Sequence, residues 1–221
     1  MKKHLIWIIL FAFIGCTNKK QENSKTPIKV IVFADKTGSI DNNSIPKLSR
    51  VHLEPIIQYI KEYGGEIALS DITNISKQNL VILRNIPRPI LQQGETAEEF
   101  NQRIGEWKKN SKPFDKEDFF SNRTVGSILD YSNLATATNI ADAVDLANLY
   151  LNTENIFFQT NLRRIALFIT DGEDNMKKKI PQTFCCEIYM VTRSSDYGSL
   201  SQFNPIVNPT IEGIFDEIIN K

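Results

Sequence analysis

Residues 28–39 read Ile28-Lys29-Val30-Ile31-Val32-Phe33-Ala34-Asp35-Lys36-Thr37-Gly38-Ser39. The stretch from Ile28 to Phe33 is rich in apolar residues and closes on a carboxylate, a lysine, two hydroxyls and a glycine. A strand covered by helices on both faces keeps no polar alternation, so an apolar run stopped by a Gly-containing turn predicts a buried parallel strand. Arg164–Thr170 (RIALFIT) repeats the pattern and ends on Asp171-Gly172. Weaker strand signals lie at 66–72, 80–84 and 187–192, with a short one at 205–207, giving six strands in all.

Helical patterns fall between these strands. Ser44 and Pro46 predict a cap and a first-turn proline for a helix running to Tyr63, with Leu53, Ile56, Ile57 and Ile60 on one face and Gly64-Gly65 as the stop. Pro55 inside it predicts a kink. Residues 96–109 place Phe100, Ile104 and Trp107 on one side, which reads as a packing face. Ile140, Val144, Ala147 and Leu151 form another stripe, and Ile211, Ile214, Phe215 and Ile218 a last one within 210–220. Strands alternating with helices predict an α/β fold: a doubly wound, mostly parallel six-stranded sheet with helices on both faces. Ligands of such sheets bind outside the carboxyl ends of the strands, where the Asp35 and Asp171 turns fall.

The start of the chain has a different character. Lys2 and Lys3 precede an apolar run from Leu5 to Ile14, a charged start and short hydrophobic segment that fit a secretory signal peptide rather than a membrane span. Its end, Phe13-Ile14-Gly15-Cys16, resembles a bacterial lipobox, with Phe13 where Leu is usual. That resemblance implies cleavage after residue 15, acylation of Cys16 and a lipid-anchored protein of the bacterial cell envelope, on its periplasmic face or the cell surface. The alternative is a plain signal peptide with an incidental cysteine. Residues 17–26 (TNKKQENSKT) hold no apolar side chain and read, with Cys16, as a flexible tether. Residues 27–221, about 195 of the 221, suffice for one α/β domain with a full core.

Charge and sulfur content exclude other classes. Without Lys2 and Lys3 the chain carries 24 basic and 26 acidic side chains, and Lys177-Lys178-Lys179 is too short a run for a phosphate-binding patch, which argues against nucleic acid. Beyond Cys16 there remain Cys185 and Cys186, and beyond the signal one histidine, His52, so zinc and iron–sulfur sites have no ligand cluster. The adjacent cysteines read as two thiols on opposite strand faces or as a strained vicinal disulfide.

What the chain does offer is oxygen. Asp35, Thr37 and Ser39 are spaced by two, so their side chains emerge on one side if the backbone stays extended, with Gly38 allowing the turn. Thr138 opens a helix in TATNIADAV, and Asp171 ends a buried strand in LFITDGEDN. Two carboxylates and three hydroxyls suit a hard divalent cation that keeps room for water or for a further oxygen ligand.

In these residues the chain resembles the von Willebrand factor type A domain, whose metal-ion-dependent adhesion site has Asp-x-Ser/Thr-x-Ser, then a Thr before a helix, then an Asp after a strand. Asp35, Thr37, Ser39, Thr138 and Asp171 match all five positions, with Thr136 a rival for the fourth. The resemblance spans about residues 29–219 and implies an open Rossmann-like sheet with Mg2+ (or Mn2+ or Ca2+) at its top. It also implies a non-enzymatic function: binding a protein partner whose Asp or Glu carboxylate completes the metal shell. Residues 86–133, with Phe119-Phe120, fall where that family has variable helices beside the metal.

Two other readings stand beside it. Asp35-Lys36-Thr37-Gly38 also resembles the phosphorylated loop of P-type ATPases and haloacid dehalogenases, which implies a phosphohydrolase with Asp35 as nucleophile. The order Asp174-Asn175, the lack of a lysine loop before Asp171 and the unexplained Thr138 count against it. The third reading is a metal-free envelope scaffold with a degenerate site.

Overall fold

The computed structural model describes residues 25–38, 45–77, 79–153, 162–182, 184 and 186–221. Ser39, Ser44, Cys16, Cys185, the signal and most of the tether lie outside the described residues. Among those described, no helix is long and apolar enough to cross a membrane.

The six expected strands form one sheet: β1 (Ile28–Asp35), β2 (Gly65–Ile72), β3 (Val81–Asn85), β4 (Arg163–Ile169), β5 (Glu187–Val191) and β6 (Ile206–Asn208). Their order is β3-β2-β1-β4-β5-β6, and every neighbouring pair is parallel except β2 with β3. The fold is the expected α/β, Rossmann-like class. β1, the stretch that opens the reading of the sequence, is central and buried along its whole length.

The strand faces explain its composition. Ile28, Val30, Val32 and Ala34 of β1 face one layer, which is closed by α1 (Arg50–Tyr63), α6 (Ile211–Asn220) and buried residues of α3 (Lys116–Ser121) and α4 (Arg123–Leu129). Ile31 and Phe33 face the other, closed by α5 (Ile140–Asn152) and a 3-10 helix at Gly198–Phe203. Phe33 and its register partner Phe168 stack at 5.0 Å on that side. With an apolar layer on each face, a half-polar strand has nowhere to expose its other half.

All the expected apolar stripes of α1, α5 and α6 are buried. The first helix, however, starts later than its sequence signals. Ser49 is the N-cap, and residues 45–49 precede the helix in non-helical form, so Pro46 is not a first-turn proline. Packing decides this, since Ile45 and Leu48 are drawn into the core and the Leu48 amide donates to the Tyr131 hydroxyl at 3.0 Å. Pro55 sits inside the helix.

A second difference concerns α2 (Ala97–Asn110). Its Thr96 capping box forms, yet none of its residues is buried, and Phe100, Ile104 and Trp107 are only partly covered. Trp107 Nε1 donates to the Ile86 carbonyl at 2.9 Å, tying the helix to its own connecting segment. Phe119 is buried and Phe120 packs partly covered against the same core.

Candidate functional site

The sheet reverses its winding between β1 and β4, and the crevice at the carboxyl ends of such a pair is where open α/β sheets take ligands. Ala34 pairs with Ile169, so the next residues, Asp35 and Thr170, leave the sheet side by side. The Thr170 hydroxyl donates to Asp35 Oδ2 at 2.7 Å. On the other oxygen, Oδ1, Asp35 accepts from the Thr37 amide at 2.9 Å and the Thr37 hydroxyl at 2.7 Å. Asp35 is 1% exposed.

Burial pushes the Asp35 carboxyl above its ordinary range; the Thr170 and Thr37 donors pull it back, and the neighbouring Asp171 charge raises it further. That last interaction places the two expected carboxylates in each other's field. Asp171 itself is partly buried, and its Oδ1 accepts the Glu173 amide at 3.1 Å. Gly172 (φ +82) makes the turn, where a Cβ would strike the Tyr197 carbonyl; only glycine fits that approach.

Thr138 is buried and precedes Asn139, the N-cap of α5, whose side chain accepts the Asp142 amide at 3.0 Å. Thr136, the rival, is exposed. The Thr138 carbonyl accepts the amides of Asn175 and Met176 at 3.1 and 3.3 Å, which stitches the start of α5 to the loop after Asp171. The Thr37 loop is stitched to the chain before α5 by the Ala135 amide donating to the Lys36 carbonyl at 2.6 Å and by a Thr37–Ala135 bridge. Thus three loops widely separated in sequence, bearing Asp35 and Thr37, Thr138, and Asp171, converge at one end of the sheet. Ser39 lies outside the described residues.

Two groups here carry no motif signal. Thr170 lies next to a candidate carboxylate in the sequence, but its role depends on strand register across 135 residues. The β2–β3 loop also joins the site: Asn139 donates its amide to the Thr73 carbonyl at 3.1 Å and its side chain to the Asn74 carbonyl at 3.2 Å, while the Ser76 hydroxyl donates to the Asn139 carbonyl at 3.0 Å. Polar residues in a short loop give no hint of such partners.

The donor chemistry fits a hard cation. Among the described residues no three of His, Cys, Asp and Glu gather into a metal group. The candidate set relies instead on two carboxylates and hydroxyls. The Thr37 hydroxyl donates its hydrogen bond to Asp35, which leaves its oxygen lone pairs able to face a cation. A buried carboxyl raised by desolvation is a group whose charged form a bound cation stabilises.

No family model matches the chain, and no curated protein matches it. Among solved structures it is similar to the pilus adhesin SpaC from Lactobacillus rhamnosus GG in its open conformation, at 13% identity and a TM-score of 0.35 over 66% of this chain. It is similar also to proximal thread matrix protein 1 from the mussel byssus, at 11% identity and 0.40 over 89%. A third is an aerotolerance-related membrane protein from Bacteroides fragilis NCTC 9343, at 12% and 0.36 over 87% of this chain and 96% of that one. The chain spans 15% of the adhesin and 48% of the mussel protein. These likenesses transfer no ligand and no residue role.

Proposed function

We propose that this chain is a lipid-anchored envelope protein whose domain, of the von Willebrand factor type A kind, binds a protein partner through a divalent cation. The observation that carries the reading is the buried Asp35 carboxylate at the winding reversal, held by Thr37 and Thr170 beside Asp171. Asp35, Thr37, Ser39, Thr138 and Asp171 would hold the ion, and Mg2+ suits their all-oxygen chemistry, with Mn2+ or Ca2+ as substitutes. Two carboxylates balance a dication, and neutral hydroxyls donate weakly, so a bound ion stays electrophilic toward a partner's Asp or Glu. The protein's part is to keep Asp35 dry and oriented, so that the partner's carboxylate meets a shaped site rather than a solvated charge.

Cys16 would carry the anchor, with residues 17–26 as the tether. Two or more acyl chains hold a protein stably on a bilayer where one does not.

The test is calorimetric titration of Mg2+, then Mn2+, into the purified protein and its Asp35→Ala variant. Saturable heat in the first and none in the second is the expected result. Envelope proteins captured by the unaltered protein should then be released by chelator and by Asp171→Ala; capture indifferent to both would remove the metal from the contact. Turnover of a phosphate ester lost in Asp35→Asn would favour the phosphohydrolase reading instead.

A further inference from the structure

Lys25 and Thr26 lie on a groove between α1 and α6. The Tyr59 hydroxyl of α1 donates to the Thr26 carbonyl at 2.8 Å, and Lys25 Nζ donates to the Ile219 carbonyl of α6 at 2.6 Å while standing 5.8 Å from the centre of the Tyr59 ring. The groove is open, holds about 360 Å3, and is lined by Pro55, Tyr59, Glu62 and Tyr63 on one side and by Asp216 and Ile219 on the other.

Its charge is one-sided. Among the described residues that line it, Lys25 carries the one cationic side chain, and that ammonium is spent on a carbonyl. Glu62 accepts the Gln58 side-chain amide on Oε1 at 2.6 Å, and Asp216 has no partner among the described residues. The Tyr63 ring, tilted against Tyr59 at 4.8 Å and 38% exposed, adds a second aromatic surface. Carboxylates beside ring faces suit lysine, whose stem lies on apolar surface while its ammonium meets the charge.

The chain ahead of Lys25 supplies such an occupant. Residues 17–24 carry Lys19 and Lys20 against one acid, Glu22. From Lys25 back to Lys20 an extended chain spans at most about 18 Å. Tyr59 and Glu62, by contrast, are only about 4.5 Å apart along the helix axis. The groove carboxylates therefore lie within reach. We propose that residues 17–24 dock in this groove, with Lys19 and Lys20 pairing with Glu62 and Asp216. The docked segment joins the last helix to α1 and fixes where the chain leaves the domain toward Cys16. It depends on neither the metal nor the acylation proposed above.

The test digests the full chain with a glutamate-specific protease. The cut after Glu22 is timed against the cut after Glu173, an exposed loop residue that serves as reference in the same digest. Two exposed ion pairs are each worth little, so the Glu22 cut in the unaltered protein is expected to be slower by about fivefold. The Lys19→Glu, Lys20→Glu variant should lose that protection. Adding Glu62→Lys and Asp216→Lys to it should bring the protection back, which a change in protease recognition or a misfolded variant would not do. Equal rates at the two sites in the unaltered protein overturn the proposal, as does protection that ignores the charge reversal or fails to return in the fourfold variant. Protection that fades on dilution belongs to a second copy seated in the groove and overturns it too.

Discussion

At the scale of the residue, Asp35 concentrates the tension in the site. Its folded carboxyl is raised above the ordinary value of 3.8 by burial, so the folded protein binds this proton more tightly than the unfolded chain. Stability from this group therefore falls as pH rises from 3.8 through the raised value and stays lower above it. Asp35→Asn removes that burden and keeps one oxygen acceptor for Thr37, but its amide nitrogen only donates and takes away the acceptor of the Thr170 hydroxyl. In metal-free buffer at neutral pH its thermal midpoint should match or exceed that of the unaltered protein, while any saturable Mg2+ heat of the unaltered protein should be lost. A clear drop in midpoint would mean that the acceptor lost to the Thr170 hydroxyl costs more than burying the charge. As candidates, Thr37, Thr138 and Asp171 were marked in the sequence by motif spacing and strand ends. Thr170 was not, because a hydroxyl at a strand end acquires a meaning only when the register of β1 on β4 sets it beside Asp35.

At the scale of the element, the end of the sheet opposite the site is closed by charge. Arg163 at the start of β4 makes bonds of 3.0 and 3.2 Å to Glu187 at the start of β5, and Lys221, following α6, reaches the same carboxylate at 2.8 Å. Arg163 also donates to the Ile218 carbonyl of α6 at 2.8 Å. Burial alone would raise Glu187, but the Arg163 and Lys221 donors outweigh it and hold it at about 2. A carboxyl depressed from 4.5 contributes stability that is complete above pH 4.5 and lost as pH falls toward about 2. Allowing for solvent screening of a partly exposed group, that contribution is about 1–2 kcal/mol. Glu187→Gln should lower stability by this amount at pH 7, and the difference should vanish near pH 2 in denaturant titrations. A constant difference across pH would place the effect in packing. The helices followed the same logic of competing demands: α5 and α6 match their stripes because burial and periodicity agree, whereas residues 45–49 give up helix because Ile45 and Leu48 gain more from the core.

At the scale of the whole molecule, strand polarity sets the start of β1 and the candidate site at opposite ends of the sheet. β1 begins at Ile28, next to the tether, and ends at Asp35, about 25 Å away for a strand of eight residues. The candidate metal loops therefore sit at the end of the sheet opposite Ile28, where the described chain enters it. Protein tethered through Cys16 to vesicles should bind Mg2+ with the affinity of the detergent-solubilised chain; a strong shift on neutral vesicles would mean that the site faces the lipid. Local chemistry already determined the two long buried strands and the helical stripes, and it marked the candidate oxygen donors, because apolar periodicity and turn residues act over a few positions. Only the tertiary structure decided the strand order, the antiparallel β3, the exposed setting of α2, and the meeting of Asp35 with Thr170 and of Lys36 with Ser127. Those contacts join residues 91 and 135 positions apart, and only sheet register and layer packing bring them within hydrogen-bond reach.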